Sequence, residues 1–230
     1  MLTLYPYEEL GHANHGWLNA RHHFSFASYR NANRMAFGVL RVINDDVVAA
    51  GAGFDTHPHR DMEIITYVRR GAITHKDSLG NIGRTEAGDV QVMSAGTGVF
   101  HSEYNAETVD TNLYQIWIEP NAHGVKPRWD AKQFPKEHVV DKLSLLVSGN
   151  EGEGLFIHQD ATIHVGKLNA DTVITHPIRC QAYILASEGE LEVDGMRMKK
   201  GDGAEVVGAS SITIKAINDA EILVIDVPTR

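Results

Sequence analysis

Thirteen of the 230 residues are histidine, and four positions among them and their neighbours are spaced for joint chemistry. His57 and His59 stand at i and i+2 within Thr56-His57-Pro58-His59-Arg60, and His101-Ser102-Glu103 repeats that spacing with a carboxylate in second place. On an extended strand, side chains at i and i+2 leave from one face. Each pair therefore aims two donors at one point. Together His57, His59, His101 and Glu103 make three nitrogens and one oxygen. That set suits a divalent transition ion such as Fe, Mn, Co, Ni, Cu or Zn, and not Ca or Mg, which take oxygen shells. Glu63 shares the parity of His59 if the strand continues unbroken, so spacing leaves Glu63 and Glu103 open as the carboxylate. Histidines without such a partner, His22, His75 and His164 among them, read as satisfied or solvated side chains. Met35, Phe37, Phe54, Met93 and Phe100 are apolar neighbours a pocket could use, although core packing accounts for most of them.

The elements that must hold these donors are strands. β-type runs recur at 37–43, 62–68, 113–118, 182–186 and 221–227, separated by glycine-rich turns, and Asp194-Gly195 predicts a type I′ hairpin. No long segment has helical periodicity. The polar stretch 131–143 reads as a linker with a helical turn. Thr56-His57-Pro58-His59-Arg60 and its downstream Gly71 and Gly88-Asp89 recur as Thr175-His176-Pro177-Ile178-Arg179, Gly189 and Gly201-Asp202. An internal repeat of this kind predicts two β-barrels of one design. The expected boundaries are 1–128 for a metal-binding barrel, 129–145 for a linker and 146–230 for a second barrel. Ile178 replaces His59 in the second copy and Ile214 stands where His101 would fall, so that barrel is expected to be metal-free.

Composition narrows the function classes. A formal charge of −9, shared by both halves, argues against direct contact with nucleic acid or anionic lipid, which needs clustered Lys and Arg. One cysteine, Cys180, cannot form an internal disulfide. With no leader-like start and no long apolar run, a cytoplasmic protein is expected.

Gly51-x5-His57-x-His59-x3-Glu63 followed by Gly71 resembles the first cupin motif, and Gly98-x2-His101-x3-Asn105 resembles the end of the second. Seven residues rather than six separate Glu63 from Gly71, and the second motif lacks its proline. With the blocks 11–18 (GHANHGWL), 22–27 (HHFSFA) and 57–60 (HPHR), the sequence resembles the pirin family of bicupins. The resemblance is close over roughly the first 120 residues and extends to the rest in layout alone. It implies all-β architecture with two cupin (double-stranded β-helix) barrels. It also implies iron in the N-terminal barrel on His57, His59, His101 and Glu103, with Glu63 behind them orienting a ligand imidazole. Bacterial pirins are similar to quercetinases, so the implied activity is a dioxygenase that opens a flavonol ring with O2 and releases CO. In that reading Glu103 accepts the proton of the flavonol 3-hydroxyl. Eukaryotic pirins are linked to transcriptional co-regulation, and the alternative is an iron-dependent regulator acting through a protein partner.

Overall fold

The computed structural model describes residues 1–139 and 142–230, so Val140 and Asp141 of the expected linker lie outside the described residues. In chain order the strands are β1 (Leu2–Tyr5), β2 (Gly11–Asn14), β3 (Leu18–His22), β4 (Leu40–Val48), β5 (Gly53–His59), β6 (Glu63–Arg70), β7 (Ala72–Asp77), β8 (Ile82–Glu86), β9 (Val90–Ser94), β10 (Val99–Tyr104) and β11 (Thr111–Ile118). There follow β12 (Arg128–Lys132), β13 (Ser144–Ser148), β14 (Leu155–Phe156), β15 (Thr162–Leu168), β16 (Val173–Pro177), β17 (Gln181–Glu188), β18 (Glu190–Val193), β19 (Met196–Lys199), β20 (Gly203–Val207), β21 (Ser211–Ala216) and β22 (Ala220–Val227). Among the described residues the helical structure is a single 3-10 turn, Tyr7–Glu9. The helical turn expected within 131–143 is not formed by the described residues there, which continue β12 and then run irregularly.

The chain divides into two compact units. The first comprises 11–135 and 155–159, and pairs a seven-stranded sheet, β12-β9-β6-β11-β4-β3-β2, with a four-stranded one, β5-β10-β7-β8. The second comprises 1–10, 136–154 and 160–230, with the order β1-β20-β17-β22-β15-β13 in its larger sheet and β16-β21-β18-β19 in its smaller one. Strand orders match copy for copy, β5 with β16 and β10 with β21. The repeat in the sequence is thus a repeat in topology. Burial follows the layers: β21 alternates exposed and buried residues, whereas β22 is buried along its whole length. That difference explains why the larger sheets read as continuous apolar runs and the smaller ones as alternation. At the tip of β18–β19, Asp194 and Gly195 have φ of +47° and +82°, as the type I′ turn requires.

The units differ from the expected boundaries at both ends. β1 lies along β20, with Leu2 opposite Val206, so the first ten residues belong to the second unit. β12 lies along β9, with Arg128 opposite Ser94, so the start of the expected linker is an edge strand of the first unit. Composition marks polarity and turns; it does not say which open edge a short strand will join.

In the first unit, His23 is fully buried, and burial, aided by the charges of Arg34 and His22, pushes its pKa down to about 3 from 6.5. The unfolded chain protonates this imidazole below 6.5 while the folded chain does not, so acid favours unfolding from that point down. His23→Gln is expected to remove this term. Two units below 6.5, the stability gap between wild type and variant should have moved by about 3 kcal/mol relative to neutral pH, read by urea unfolding. A gap constant with pH would contradict it. No helix of the described residues is long and apolar enough to cross a membrane.

Candidate metal centre

β5 and β10 are neighbours, and His101 lies directly opposite His57. Between His101 and Glu103 the register slips, so that Glu103 faces Phe54 and β5 carries one extra residue. Such a bulge re-aims the side chains around it. Here the Asp55 carbonyl comes within 2.6 Å of His57 Nδ1. Gly53 lets β10 lie this close to β5, since a Cβ there would run into the Glu103 carbonyl. Among the described residues, His57, His59 and His101 are the cluster whose ligating atoms all lie within 4.8 Å of one another.

Hydrogen bonding assigns the tautomers of His57 and His101. His57 Nδ1 must donate to the Asp55 carbonyl, which leaves Nε2 as a bare lone pair. Behind His101, His75 Nε2 lies 3.0 Å from Asp77 Oδ2 and His75 Nδ1 lies 3.4 Å from His101 Nδ1. A neutral His75 donates to the carboxylate and accepts from His101 Nδ1, leaving His101 Nε2 bare as well. The two Nε2 atoms are 3.1 Å apart. Two lone pairs at that separation repel unless a cation lies between them, and ligands at right angles around an ion at ~2.1 Å sit ~3.0 Å apart. The donor set therefore fits a transition metal. Burial, with the charges of the neighbouring histidines, pushes His101 down to about 3 and His59 to about 4, so both imidazoles are neutral donors at neutral pH.

His75 was not distinguishable from a satisfied core histidine in the sequence. It is fully buried and stacks on Trp129 with rings 4.9 Å apart and 9° from parallel. Gly83 makes the stacking possible, because a Cβ there would strike the Trp129 ring. Asp77 is fixed in turn: burial pushes its carboxyl up, but donors from Asn81, His75 and Leu79 outweigh that and hold it below the usual range.

Glu103 is buried and its carboxylate accepts from three side chains: Thr66 Oγ1 at 3.0 Å and Gln91 Nε2 at 2.6 Å on Oε1, and Gln115 Nε2 at 2.8 Å on Oε2. These partners belong to one row across the larger sheet, in which Gln91 pairs with Thr66, Thr66 with Gln115, Gln115 with Asn44 and Asn44 with His22. The same row in the second unit is Ala204, Ile184, Val224 and His164. One barrel thus has a polar band through its interior where the other has mainly hydrocarbon. Glu63 is elsewhere. Asp61 at φ +44° breaks the chain between β5 and β6, which puts Glu63 in the other sheet, bonded to Ser94 Oγ at 2.7 Å. Burial raises its pKa to about 7, and it neither lines the cavity nor contacts a ligand imidazole. The parity argument fails because the strand it assumed is interrupted.

A cavity of about 80 Å³ reaches inward from the three imidazoles, lined also by Ala20, His22, Asn44, Asp46, Glu103 and Gln115. It shares Phe26, Phe54, His57, His59 and Trp117 with an outer vestibule of about 660 Å³ that adds Trp17 and Tyr104. Of the apolar neighbours expected from sequence, Phe54 alone reaches it; Met93 packs in the core with Ile64 and Val99, Phe37 is buried away from it, and Met35 and Phe100 are exposed. The polar row and the aromatic walls escaped sequence reading. Their signal was a polar residue centred in each apolar run, as in Ile65-Thr66-Tyr67, Val90-Gln91-Val92 and Tyr114-Gln115-Ile116.

Family models match the chain twice: the model described as Pirin over residues 5–118, and the quercetinase C-terminal cupin domain over 145–227. The chain belongs to the pirin family. Among relatives of this pirin, a Caulobacter vibrioides pirin-like protein is 49% identical, with 98% of this chain and 99% of the relative covered. An Escherichia coli K12 protein named quercetin 2,3-dioxygenase is 43% identical, with 99% of each chain covered. The crystal structure of the E. coli pirin YhhW in complex with nickel(II) superposes with a TM-score of 0.93 at 42% identity, covering 100% of both chains. Both pirin barrels are therefore cupins, and the histidine cluster falls in the N-terminal one.

Proposed function

We propose that this chain is a metal-dependent dioxygenase of the quercetinase type, which opens the central ring of a flavonol with dioxygen and releases carbon monoxide. The observation that carries the reading is the convergence of His57, His59 and His101 at the junction of an inner cavity and an aromatic-walled vestibule. The names of the relatives point the same way.

His57, His59 and His101 hold one divalent ion through bare imidazole nitrogens, and Glu103 completes the set. A metal bound there supplies Lewis acidity toward a substrate hydroxyl and a redox-capable centre for dioxygen. Iron is the ion we favour, with Mn, Co, Ni, Cu or Zn to be tested by exchange, because affinity alone ranks Cu above Fe. Trp17, Phe54, Phe26 and Trp117 meet edge to face in two pairs, with rings 5.2 and 5.4 Å apart, and form walls against which a planar aromatic can stack. Glu103 takes the flavonol 3-hydroxyl proton on Oε2, the oxygen with one protein donor rather than two.

The test is anaerobic binding of quercetin, then admission of oxygen with uptake and carbon monoxide measured together. Stoichiometric binding without product would overturn the enzymatic reading. Within the same mechanism, His75→Phe keeps the stack on Trp129 but deletes the bond to His101 Nδ1. Groups that orient a metal ligand in this way contribute ~10–100-fold in affinity. A chelator competition on the folded variant should show a loss of that size, beside a lowered melting temperature because the buried Asp77 loses a donor as well; affinity equal to wild type would deny His75 the role.

A further inference from the structure

Asp46 belongs to neither the ligand set nor the network that supports it. It lies on the inward face of β4, two residues from Asn44, with Ala20 of β3 and Leu113 of β11 on either side, and it lines the inner cavity. Only 2% of it is exposed, and Oδ1 is buried without a hydrogen-bond partner. Its polar neighbours on that wall are committed: Asn44 Oδ1 to His22 Nδ1 at 2.8 Å, and Gln115 Nε2 to Glu103. A buried carboxyl with nothing to bond to destabilises a fold, and such groups persist where a ligand supplies the partner.

We propose that Asp46 is the specificity group of the pocket, exchanging hydrogen bonds with a phenolic hydroxyl on the ring of the aromatic substrate that enters the inner cavity. The inference rests on the aromatic-substrate reading above. Burial pushes the Asp46 carboxyl well above the usual range, with the charges of Asp45 and Glu103 adding to it. The shift favours the protonated form, which both donates and accepts, as a phenol does. A carboxylate on the substrate would instead meet the negative charge of Glu103 on the same wall and be repelled. The pocket thus selects hydroxylated, uncharged rings.

Quercetin and 3-hydroxyflavone share the 3-hydroxyl and 4-carbonyl but differ in every other hydroxyl, so they separate this contact from the rest of binding. Their affinities for nickel-loaded wild type, Asp46→Asn and Asp46→Leu are to be titrated anaerobically by absorbance, with melting curves for each protein. Asp46→Leu is expected to weaken quercetin about tenfold or more, to change 3-hydroxyflavone less than about twofold, and to melt higher than wild type. Asp46→Asn, which keeps a hydrogen-bonding group, should weaken quercetin less and serves if the leucine variant does not fold. Equal losses for both flavonols, or none for quercetin, would overturn the proposal. Oxygen uptake by wild type separates the two readings: turnover without the selective loss overturns Asp46 alone, the selective loss without turnover overturns the dioxygenase alone, and failure to bind quercetin overturns both.

Discussion

A chain carrying His57→Ala and His101→Ala together is expected to lose its metal and its activity while keeping its fold. Structural zinc held by four ligands is bound with ~10–16 kcal/mol, or ~3 kcal/mol per ligand, and on that scale two removed imidazoles of the proposed set cost roughly 10⁴-fold in affinity. The fold should survive because both side chains face the cavity, whereas the first unit's buried residues, Ile65, Leu113 and Ile116 among them, are untouched. Removing both imidazoles also removes the 3.1 Å contact between bare nitrogens, which offsets part of the cost of leaving His75 Nδ1 without its partner, so the metal-free variant should lie within about 1–3 kcal/mol of metal-free wild type. Metal content after dialysis, oxygen uptake and a urea midpoint read the three claims separately. Stoichiometric metal or surviving turnover in the double variant would remove these residues from the mechanism.

Glu103→Ala is expected to damage both stability and turnover. It takes the charged acceptor from the Thr66 hydroxyl and the Gln91 and Gln115 amides, leaving the Gln91 Nε2 and Thr66 Oγ1 donors only their long contacts at 3.3 and 3.4 Å and the Gln115 amide without that partner. Bonds to a charged acceptor contribute ~1.5–3 kcal/mol each, and water entering from the cavity offsets part of the loss, so the metal-free variant should lose about 3–5 kcal/mol. Loss of a positioned proton acceptor should lower kcat by a further ~10²–10⁴-fold in whatever fraction stays folded and loaded. A variant within about 1 kcal/mol of wild type would show that the three donors find other partners, and that the carboxylate does not organise the row.

The convergence of His57, His59 and His101 was legible because strand geometry puts i and i+2 on one face, and the repeat was legible because turn glycines recur at matching intervals. What the sequence concealed depends on pairing across strands. Gln91, Thr66, Gln115, Asn44 and His22 come from five separate runs, and each looks like an isolated polar residue until register aligns them. His75 was hidden for the same reason: its neighbours His101, Asp77 and Trp129 lie on two other strands and its own. Glu63 shows the opposite failure, a local pattern that reads correctly only if no turn intervenes. The sharp reversal at Asp61 has no glycine or proline to announce it.

The division of the chain between its two units has a consequence for how the protein is made. Leu2 has its partner at Val206, so the first strand leaves the ribosome with no edge to join, and at 5–20 residues per second it waits roughly 10–40 s for one. The first unit waits as well, for a much shorter stretch, until Leu155–Gln159 has been synthesised. Cutting the gene near residue 135 would accordingly not yield two self-sufficient halves. One fragment would carry an orphan strand and lack a piece of itself, and the other would present β20 as an uncovered, aggregation-prone border.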